Sequence, residues 1–133
     1  MNRSSAAVVT VIAMLATAVP IRAHHAFAAE FDANSPIKLR GTVAKVELIN
    51  PHSWIHIDVK DADGKVSRWM IEGGTPNTLL RRGFTKNSLP IGSEMLVDGY
   101  RAKDGTNKAN GRDIIFHAGK HIFVGGSAPD APR

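Results

Sequence analysis

Histidines are the residues of this chain best suited to hold a transition metal, because it has six of them and no cysteine. Neutral imidazole is a good ligand for Zn(II) and Cu(II). His24 and His25 are adjacent, and His24 would become the N-terminal residue if a signal peptide were cleaved after Ala23. A terminal histidine offers its α-amine and its Nδ1 to one metal ion. We therefore predict a copper or zinc site formed by His24, His25 and His52.

The spacing of His52 and His56 does not by itself make a metal pair. Four residues of a β-strand span about 13 Å, whereas two imidazoles on one ion, each with a bond of about 2 Å, need nitrogens only a few ångströms apart. His56 is therefore expected to be a surface or cross-strand residue. In the alternative to the terminal metal site, the two N-terminal histidines are a disordered polar start, and Phe27 and Phe31 dock this segment onto the domain.

Residues 1–23 have the composition of a secretory signal peptide, which predicts a periplasmic or secreted location. Arg3 supplies the positive start, Ala6–Val19 is almost entirely apolar, and Ile21–Ala23 ends in a small residue suited to cleavage. The apolar stretch is shorter than the roughly 20 residues of a membrane-spanning helix. Cleavage after Ala23 is therefore expected, and it leaves no transmembrane segment; an uncleaved membrane anchor is the alternative.

The composition of the mature chain fits one globular domain with a packed core. Cleavage removes Arg3 and Arg22 and so lowers the formal net charge from +5 to +3, which does not by itself indicate nucleic acid as a partner. Without cysteine no disulfide can form, and stability must come from the core of residues 24–124. Residues 125–133 are rich in glycine, proline, serine and aspartate and are predicted to be a disordered tail.

Alternating apolar and polar residues, together with valine and threonine, predict five β-strands. Thr75 is suited to the N-cap of a short helix that begins at Pro76 and is stopped by Gly83. Five strands with one short helix between the third and the fourth is the element order of an OB-like barrel. The predicted fold class is therefore all-β with one short helix, an OB-like five-stranded small β-barrel. The predicted strands are Ile37–Leu48, Trp54–Lys60, Val66–Glu72, Ser93–Lys103 and Arg112–His117.

The second and third strands are predicted to form a hairpin with a three-residue loop, Ala62–Gly64, that ends on glycine. This register places opposite charges on the outer face and apolar pairs on the inner face, which is the arrangement expected of a half-buried hairpin. The predicted pairs are Asp58 with Arg68, Ile57 with Trp69 and Ile55 with Ile71.

The outer face of this hairpin is a mixed aromatic and polar surface that could bind a small ligand or a protein. The turn dipeptide Asn50-Pro51 lies before it. In OB-type barrels, ligands lie on the second and third strands, bordered by the loops between strands 1 and 2 and between strands 4 and 5, here residues 48–53 and 104–111. We call this predicted site the strand 2–3 surface; its residues are Asn50, Trp54, His56, Asp58 and Arg68.

A second pair of histidines, His117 and His121, lies at the end of the fifth strand. A two-residue turn would pair His117 with Lys120, whereas a three-residue turn would pair His117 with His121 and bring their Cβ atoms to about 5 Å. Only the second register could chelate a metal, and two exposed hairpin histidines are the expected arrangement.

Motifs for catalysis or for nucleotide binding are absent from the sequence. No serine lies in a nucleophile-elbow pattern, no spacing of carboxylates singles out a glycosidase pair, and Gly73-Gly74-Thr75 lacks the lysine of a phosphate-binding loop. Nucleic-acid binding would need several aromatic and basic residues on the barrel face, and only Trp54 and Arg68 meet this description. The chain is therefore expected not to be an enzyme and to bind no nucleic acid.

Several segments of the chain together resemble a family of small exported bacterial proteins of unknown function. The segments cover nearly the whole mature chain and are specific in combination. The resemblance implies a periplasmic or secreted location, and it implies no reaction and no catalytic residue. The segments are His24–Asp32, Gly41–Val43, Asn50–Trp54, Pro76–Gly83 and Gly99–Gly105.

Together these features predict an exported, non-enzymatic periplasmic binding module of unknown ligand. The first hypothesis for the ligand is a transition metal, copper or zinc, at the mature N-terminus. The alternative is a protein-interaction or envelope-stress module that uses the strand 2–3 surface.

Overall fold

The computed structural model describes residues 26–116 and 119–125. None of the helices in these two ranges has the length and apolar character needed to span a bilayer. Several predicted features lie outside the described residues, namely the signal peptide, His24, His25, His117 and the tail from residue 126 onward.

The described residues form six β-strands and only short helical segments. Residues 26–30 form the N-terminal helical segment, helix α1 is Pro76–Arg81, and a 3-10 turn covers Lys86–Ser88. The predicted all-β class, with a short helix between the third and fourth strands, is confirmed. The strands are β1 (Phe31–Ile49), β2 (His52–Lys60), β3 (Val66–Gly73), β4 (Glu94–Ala102), β5 (Lys108–Phe116) and β6 (His121–Phe123).

The first five strands form a closed ring of pairings in the order β1-β2-β3-β5-β4. Neighbouring strands are antiparallel except β3 and β5, which run parallel and pair through Met70–Glu72 and Lys108–Asn110. β1 closes the ring because it pairs with β2 on one side and with β4 on the other. This is the strand arrangement of the predicted OB-like fold, and β6 extends it by pairing with β5.

β1 pairs with two strands, because its partner changes from β4 to β2 near Gly41. Its residues up to Thr42 pair with β4, and its residues from Thr42 onward pair with β2. A Cβ atom at position 41 would lie 2.9 Å from the carbonyl oxygen of Asp58, so the close approach of β2 requires a glycine here. An irregularity in the register follows between Val43 and Lys45, where such a feature bends a strand.

The core lies inside the ring and includes the inner face of the β2–β3 hairpin. Ile55, Ile57 and Ile71 are completely buried. Ile55 pairs with Ile71 and Ile57 pairs with Trp69. The register inferred from the three-residue hairpin loop is therefore confirmed.

Helix α1 begins and ends as the sequence predicts. The Thr75 side chain accepts a hydrogen bond of 3.2 Å from the backbone N–H of Thr78, and Gly83 follows the helix with a φ of +80°. Leu79 and Phe84 are completely buried. The connection between β3 and β4 is therefore packed onto the core.

β5 begins at Lys108 and not at Arg112, so the loop between β4 and β5 is shorter than predicted. The glycines and asparagines of residues 104–111 are typical of a loop. A Cβ atom at position 111, however, would lie 2.7 Å from Cγ2 of Ile71. Gly111 is therefore needed for close packing inside the barrel and not for a turn.

β6 returns along β5 in a register that differs from both predicted ones. His121 pairs with Ile115, and the N–H of Phe116 donates to the carbonyl oxygen of Lys120 at 2.9 Å. His121 is therefore opposite Ile115 and not opposite residue 117. Gly125, the last of the described residues, is buried, and its N–H donates to the carbonyl oxygen of Arg112 at 3.0 Å.

Candidate functional site

The outer face of β2 carries its aromatic and polar side chains, as the alternation in the sequence predicts. Trp54 lies between two carboxylates in one row across the sheet, because it pairs with Glu47 of β1 and with Glu72 of β3. Asn110 of β5 continues this row beyond Glu72. Residues from four strands therefore lie side by side.

His52 is the first residue of β2 and follows the turn Asn50-Pro51, whose peptide bond is cis. Its Nδ1 contacts Oε1 of Glu72, whose side chain is only 3% exposed. The other oxygen of Glu72, Oε2, accepts a hydrogen bond of 3.2 Å from Nδ2 of Asn110. His52, Glu72 and Asn110 thus form a continuous chain of polar contacts that satisfies a buried carboxylate from two sides.

A pocket of about 380 Å³ opens beside these contacts, and we call it the His52 pocket. This volume is within the range of pockets that bind small ligands. Three carboxylates line the pocket, and none of its described lining residues is a lysine or an arginine. Trp54 and the exposed Ile49 give it an apolar wall. The lining residues are Glu30, Glu47, Ile49, Asn50, Pro51, His52, Trp54 and Glu72.

Glu47 forms one wall of the pocket and binds two neighbours. Nζ of Lys45 donates to its Oε1 at 2.6 Å, and Nε2 of His56 lies 2.7 Å from its Oε2. The hydrogen bonds from Lys45 and then from His56 hold the pKa of Glu47 below its usual value. The Glu47 carboxylate is therefore ionised at neutral pH and accepts hydrogen bonds from both side chains.

The N-terminal helical segment borders the pocket through Glu30. Oε1 of Glu30 is 3.6 Å from Nζ of Lys108, and the same Nζ is 6.0 Å from the centroid of the Trp54 ring. Phe27 and Phe31 are buried and hold the segment against the barrel, which is the docking role given to them in the alternative to the terminal metal site. The pocket is therefore bounded by the segment that directly follows His25 in the chain.

Asp58 and Arg68 lie at the far end of the same two strands and bind each other. Nε and Nη2 of Arg68 donate to Oδ1 and Oδ2 of Asp58 at 2.6 and 3.0 Å, and these bonds hold the pKa of Asp58 below its usual value. Six residues of strand, about 20 Å, separate Asp58 from His52. The strand 2–3 surface is thus divided, since only Asn50 and Trp54 line the pocket. Binding of a protein partner to the strand 2–3 surface stays a prediction.

The predicted metal ligands are only partly within the described residues. His52 lines the pocket, whereas His24 and His25 lie outside the described ranges. Across residues 26–116 and 119–125, no group of three or more histidine, aspartate or glutamate side chains is placed to hold a metal ion. A metal ion on His52 would therefore need ligands from elsewhere in the chain, and the copper or zinc site stays a prediction.

The sequence-based prediction did not include the carboxylates and the amide around His52. Glu72 could have been found, because the predicted hairpin register places it opposite Trp54. Asn110 meets Glu72 only through the parallel pairing of β3 with β5, and it lay in a stretch predicted to be a loop. Glu30 is brought to the pocket by a helical segment for which the sequence predicted no contact with β2.

A protein-family model matches most of the chain. The family is described as a family of unknown function, DUF6152, and its model covers residues 11–111. No curated protein and no solved structure matches the chain. The matched residues include His52, Glu72 and Asn110, and they end before β6.

Proposed function

The chain belongs to DUF6152, a family of unknown function, which confirms the predicted resemblance to an uncharacterised family. Because the family implies no function, we propose one from the geometry of the His52 pocket. We propose that the protein is an exported, non-enzymatic binding module of the periplasm. Its ligand is a transition metal ion, Cu(II) or Zn(II). His52 supplies one ligand atom, and His24 and His25 supply the others.

The contact between Nδ1 of His52 and the buried carboxylate of Glu72 is the observation that carries this proposal. A histidine that binds a metal usually donates its other ring N–H to a carboxylate, a carbonyl or a water, which orients the ring and makes it more basic. Here the carboxylate is on Nδ1, so Nε2 is the atom left for a ligand. The ring also lines a pocket large enough for further ligands.

The position of the N-terminal helical segment supports His24 and His25 as those further ligands. Glu30 lines the pocket, and five residues of chain span at most about 18 Å, so His25 can lie no farther than that from Glu30. An α-amine combined with imidazoles is a ligand set that suits Cu(II) and Zn(II). The carboxylates that line the pocket favour a cation over an anion.

Isothermal titration calorimetry of the mature protein with Cu(II) and Zn(II) tests the proposal. We expect the wild type to bind one ion and His52→Ala to bind at least about tenfold more weakly. His121→Ala is the matched control, because His121 contacts Asp113 and does not line the pocket; its affinity should equal that of the wild type. Absence of binding by the wild type, or unchanged binding by His52→Ala, would overturn the proposal.

The free N-terminus is tested in a separate experiment. N-terminal sequencing of the exported protein should begin at His24, because Ala23 is suited to signal-peptide cleavage. Acetylation of the α-amine of His24 removes it from the chelate and should abolish tight copper binding. Tight binding by the acetylated protein would show that the amine is not a ligand, and a different first residue would contradict the predicted cleavage.

A further inference from the structure

We propose that Glu72 and Asn110 are positioning residues that hold His52 as its Nδ1–H tautomer and so leave Nε2 open to the His52 pocket. Glu47 holds the neighbouring His56 in the opposite, Nε2–H tautomer. His52 therefore offers the Nε2 lone pair to a ligand in the pocket, whereas Nε2 of His56 is engaged as a donor. This inference rests on the proposed function only for the identity of the ligand, because the tautomers are a property of the protein alone.

The acceptor character of Glu72 determines the tautomer of His52. A carboxylate oxygen beside a histidine ring accepts the hydrogen of the ring N–H that it contacts, which is the arrangement usual for metal-binding histidines. The ring nitrogen of His52 that contacts it is Nδ1, so Nδ1 carries the hydrogen and Nε2 carries the lone pair. Because the Glu72 side chain is only 3% exposed, solvent does not compete with His52 for this oxygen.

Asn110 binds one oxygen of the Glu72 carboxylate, and the other oxygen contacts His52. Its Nδ2 can only donate and lies 3.2 Å from Oε2 of Glu72. Asn110 is buried and is the direct neighbour of Glu72 in the β3–β5 pairing, so the two strand backbones maintain this contact. Oε2 is therefore engaged by Asn110, and Oε1 faces His52.

His56 has the opposite arrangement in the next row of the sheet. Its Nε2 lies 2.7 Å from Oε2 of Glu47, and its side chain is 14% exposed. Because hydrogen bonds from Lys45 and His56 lower the pKa of Glu47, this carboxylate is ionised at neutral pH, and Nε2 of His56 carries the hydrogen. The two histidines can therefore be compared within one molecule under identical conditions.

Long-range ¹H–¹⁵N NMR of the histidine rings tests the inference on the full mature protein without metal. The spectrum is recorded at about pH 8, where an ordinary imidazole is neutral. We expect His52 to have a protonated Nδ1 and an unprotonated Nε2, and we expect the reverse for His56. A protonated Nε2 at His52, or an equal mixture of its tautomers, would overturn the inference. This measurement needs no variant, so it decides the question even if a substitution prevents folding.

Glu72→Gln is a sharper test, because Asn110 should select the orientation of the introduced amide. Nδ2 of Asn110 donates, so it should keep the amide oxygen, and the amide nitrogen should then face His52. That amide N–H can donate only to an unprotonated Nδ1, so His52 should change to its Nε2–H tautomer while His56 keeps its pattern. Glu47→Gln is the matched variant and should alter His56 alone. An unchanged His52 in folded Glu72→Gln would count against the positioning role.

Metal titration distinguishes a failure of this inference from a failure of the proposed function. Glu72→Gln should bind Zn(II) about 10- to 100-fold more weakly than the wild type. Glu94→Gln should bind normally, because Glu94 contacts Arg40 at 3.1 Å and does not line the pocket. If the tautomers are as expected but no metal binds, the metal proposal fails and the positioning role stands. If metal binds while metal-free His52 has a protonated Nε2, the positioning role fails and the metal proposal stands.

Discussion

At the scale of single residues, the burial of Glu72 depends on its polar neighbours. A carboxylate that is removed from water destabilises the fold unless hydrogen bonds replace its hydration. His52 and Asn110 provide these contacts within the barrel. The contacts that orient the imidazole therefore also stabilise the folded protein, and each can be tested through stability as well as through binding.

Asn110→Ala should lower the free energy of unfolding by about 1–3 kcal/mol, because Glu72 stays buried and loses a hydrogen-bond donor. Urea unfolding followed by circular dichroism measures this change. Asn107→Ala is the matched control, since Asn107 is exposed in the preceding loop, and it should change the free energy by less than about 0.5 kcal/mol. Equal stability of the two variants would show that Glu72 does not depend on Asn110.

The ion pair of Asp58 and Arg68 should make stability depend on pH in the acid range. Hydrogen bonds from Arg68 place the pKa of Asp58 in the folded protein below its ordinary value of 3.8. A lowered carboxyl pKa contributes stability above the ordinary pKa, and this contribution is lost as the pH falls through the folded pKa. The Tm should therefore decrease less below the ordinary pKa in Asp58→Asn than in the wild type. Thermal unfolding measured across this acid range tests the expectation. Parallel profiles of Tm against pH for the wild type and Asp58→Asn would refute it.

Among the secondary-structure elements, β4 and β5 together determine where Asn110 lies. Gly99 of β4 pairs with Gly111 of β5, and the register of the two strands shifts beside this pair. A Cβ atom at position 99 would overlap the carbonyl oxygen of Asn110. The glycine therefore permits the close approach that brings Asn110 beside Glu72.

Gly99→Ala should destabilise the protein by about 1–3 kcal/mol through overpacking, and it should weaken metal binding because the backbone of Asn110 must move. Gly73→Ala is the matched control, because a Cβ atom there meets no atom closer than 3.4 Å. Urea unfolding and metal calorimetry measure the two effects. If Gly99→Ala and Gly73→Ala have the same stability and the same metal affinity, the contact of Gly99 with Asn110 does not influence the pocket.

Thr75→Ala should destabilise the protein by about 1 kcal/mol, because it removes the side-chain oxygen that caps helix α1. That oxygen accepts the backbone N–H of Thr78 at 3.2 Å. Thr75→Ser retains a hydroxyl and is the control. Thermal unfolding should place Thr75→Ser close to the wild type and clearly above Thr75→Ala; equal values for the two variants would mean that the cap contributes nothing.

At the scale of the whole molecule, the packing extends beyond the residues matched by the family model. The match ends at residue 111, whereas β5 continues to Phe116 and β6 pairs with it. Val124 is completely buried, and its carbonyl oxygen accepts the N–H of Gly74 at 2.8 Å. The end of β3, directly after Glu72, is therefore fixed by a segment outside the matched range.

Val124→Ala should lower the free energy of unfolding by about 2 kcal/mol, because two buried methyl groups are lost and a small cavity is left. Val66→Ala is the control for the substitution itself, since Val66 is exposed, and it should change the free energy by less than about 0.5 kcal/mol. Urea unfolding of both variants tests whether the segment after β6 belongs to the core. Similar free energies of unfolding for the two variants would mean that Val124 contributes almost nothing to stability.

Features that depend only on residues close together in the sequence could be predicted. The loop Ala62–Gly64 determined the register of β2 with β3, and the cap at Thr75 determined where helix α1 begins, because these signals act over only a few residues. The start of β5 could not be predicted in the same way. Gly111 belongs to a strand because of its close packing against Ile71, which is 40 positions away in the sequence.

The sequence alone determined which side chains of the hairpin face outward, because a strand alternates with a period of two whatever surrounds it. It therefore identified Trp54, His56 and Asp58 as surface residues. Only the tertiary structure decided which of the outward side chains meet. The parallel pairing of β3 with β5 brings Asn110 to Glu72, and the turn before β2 brings His52 to the same carboxylate. Closure of the ring joins strands that are far apart in sequence, and no local pattern specifies those contacts.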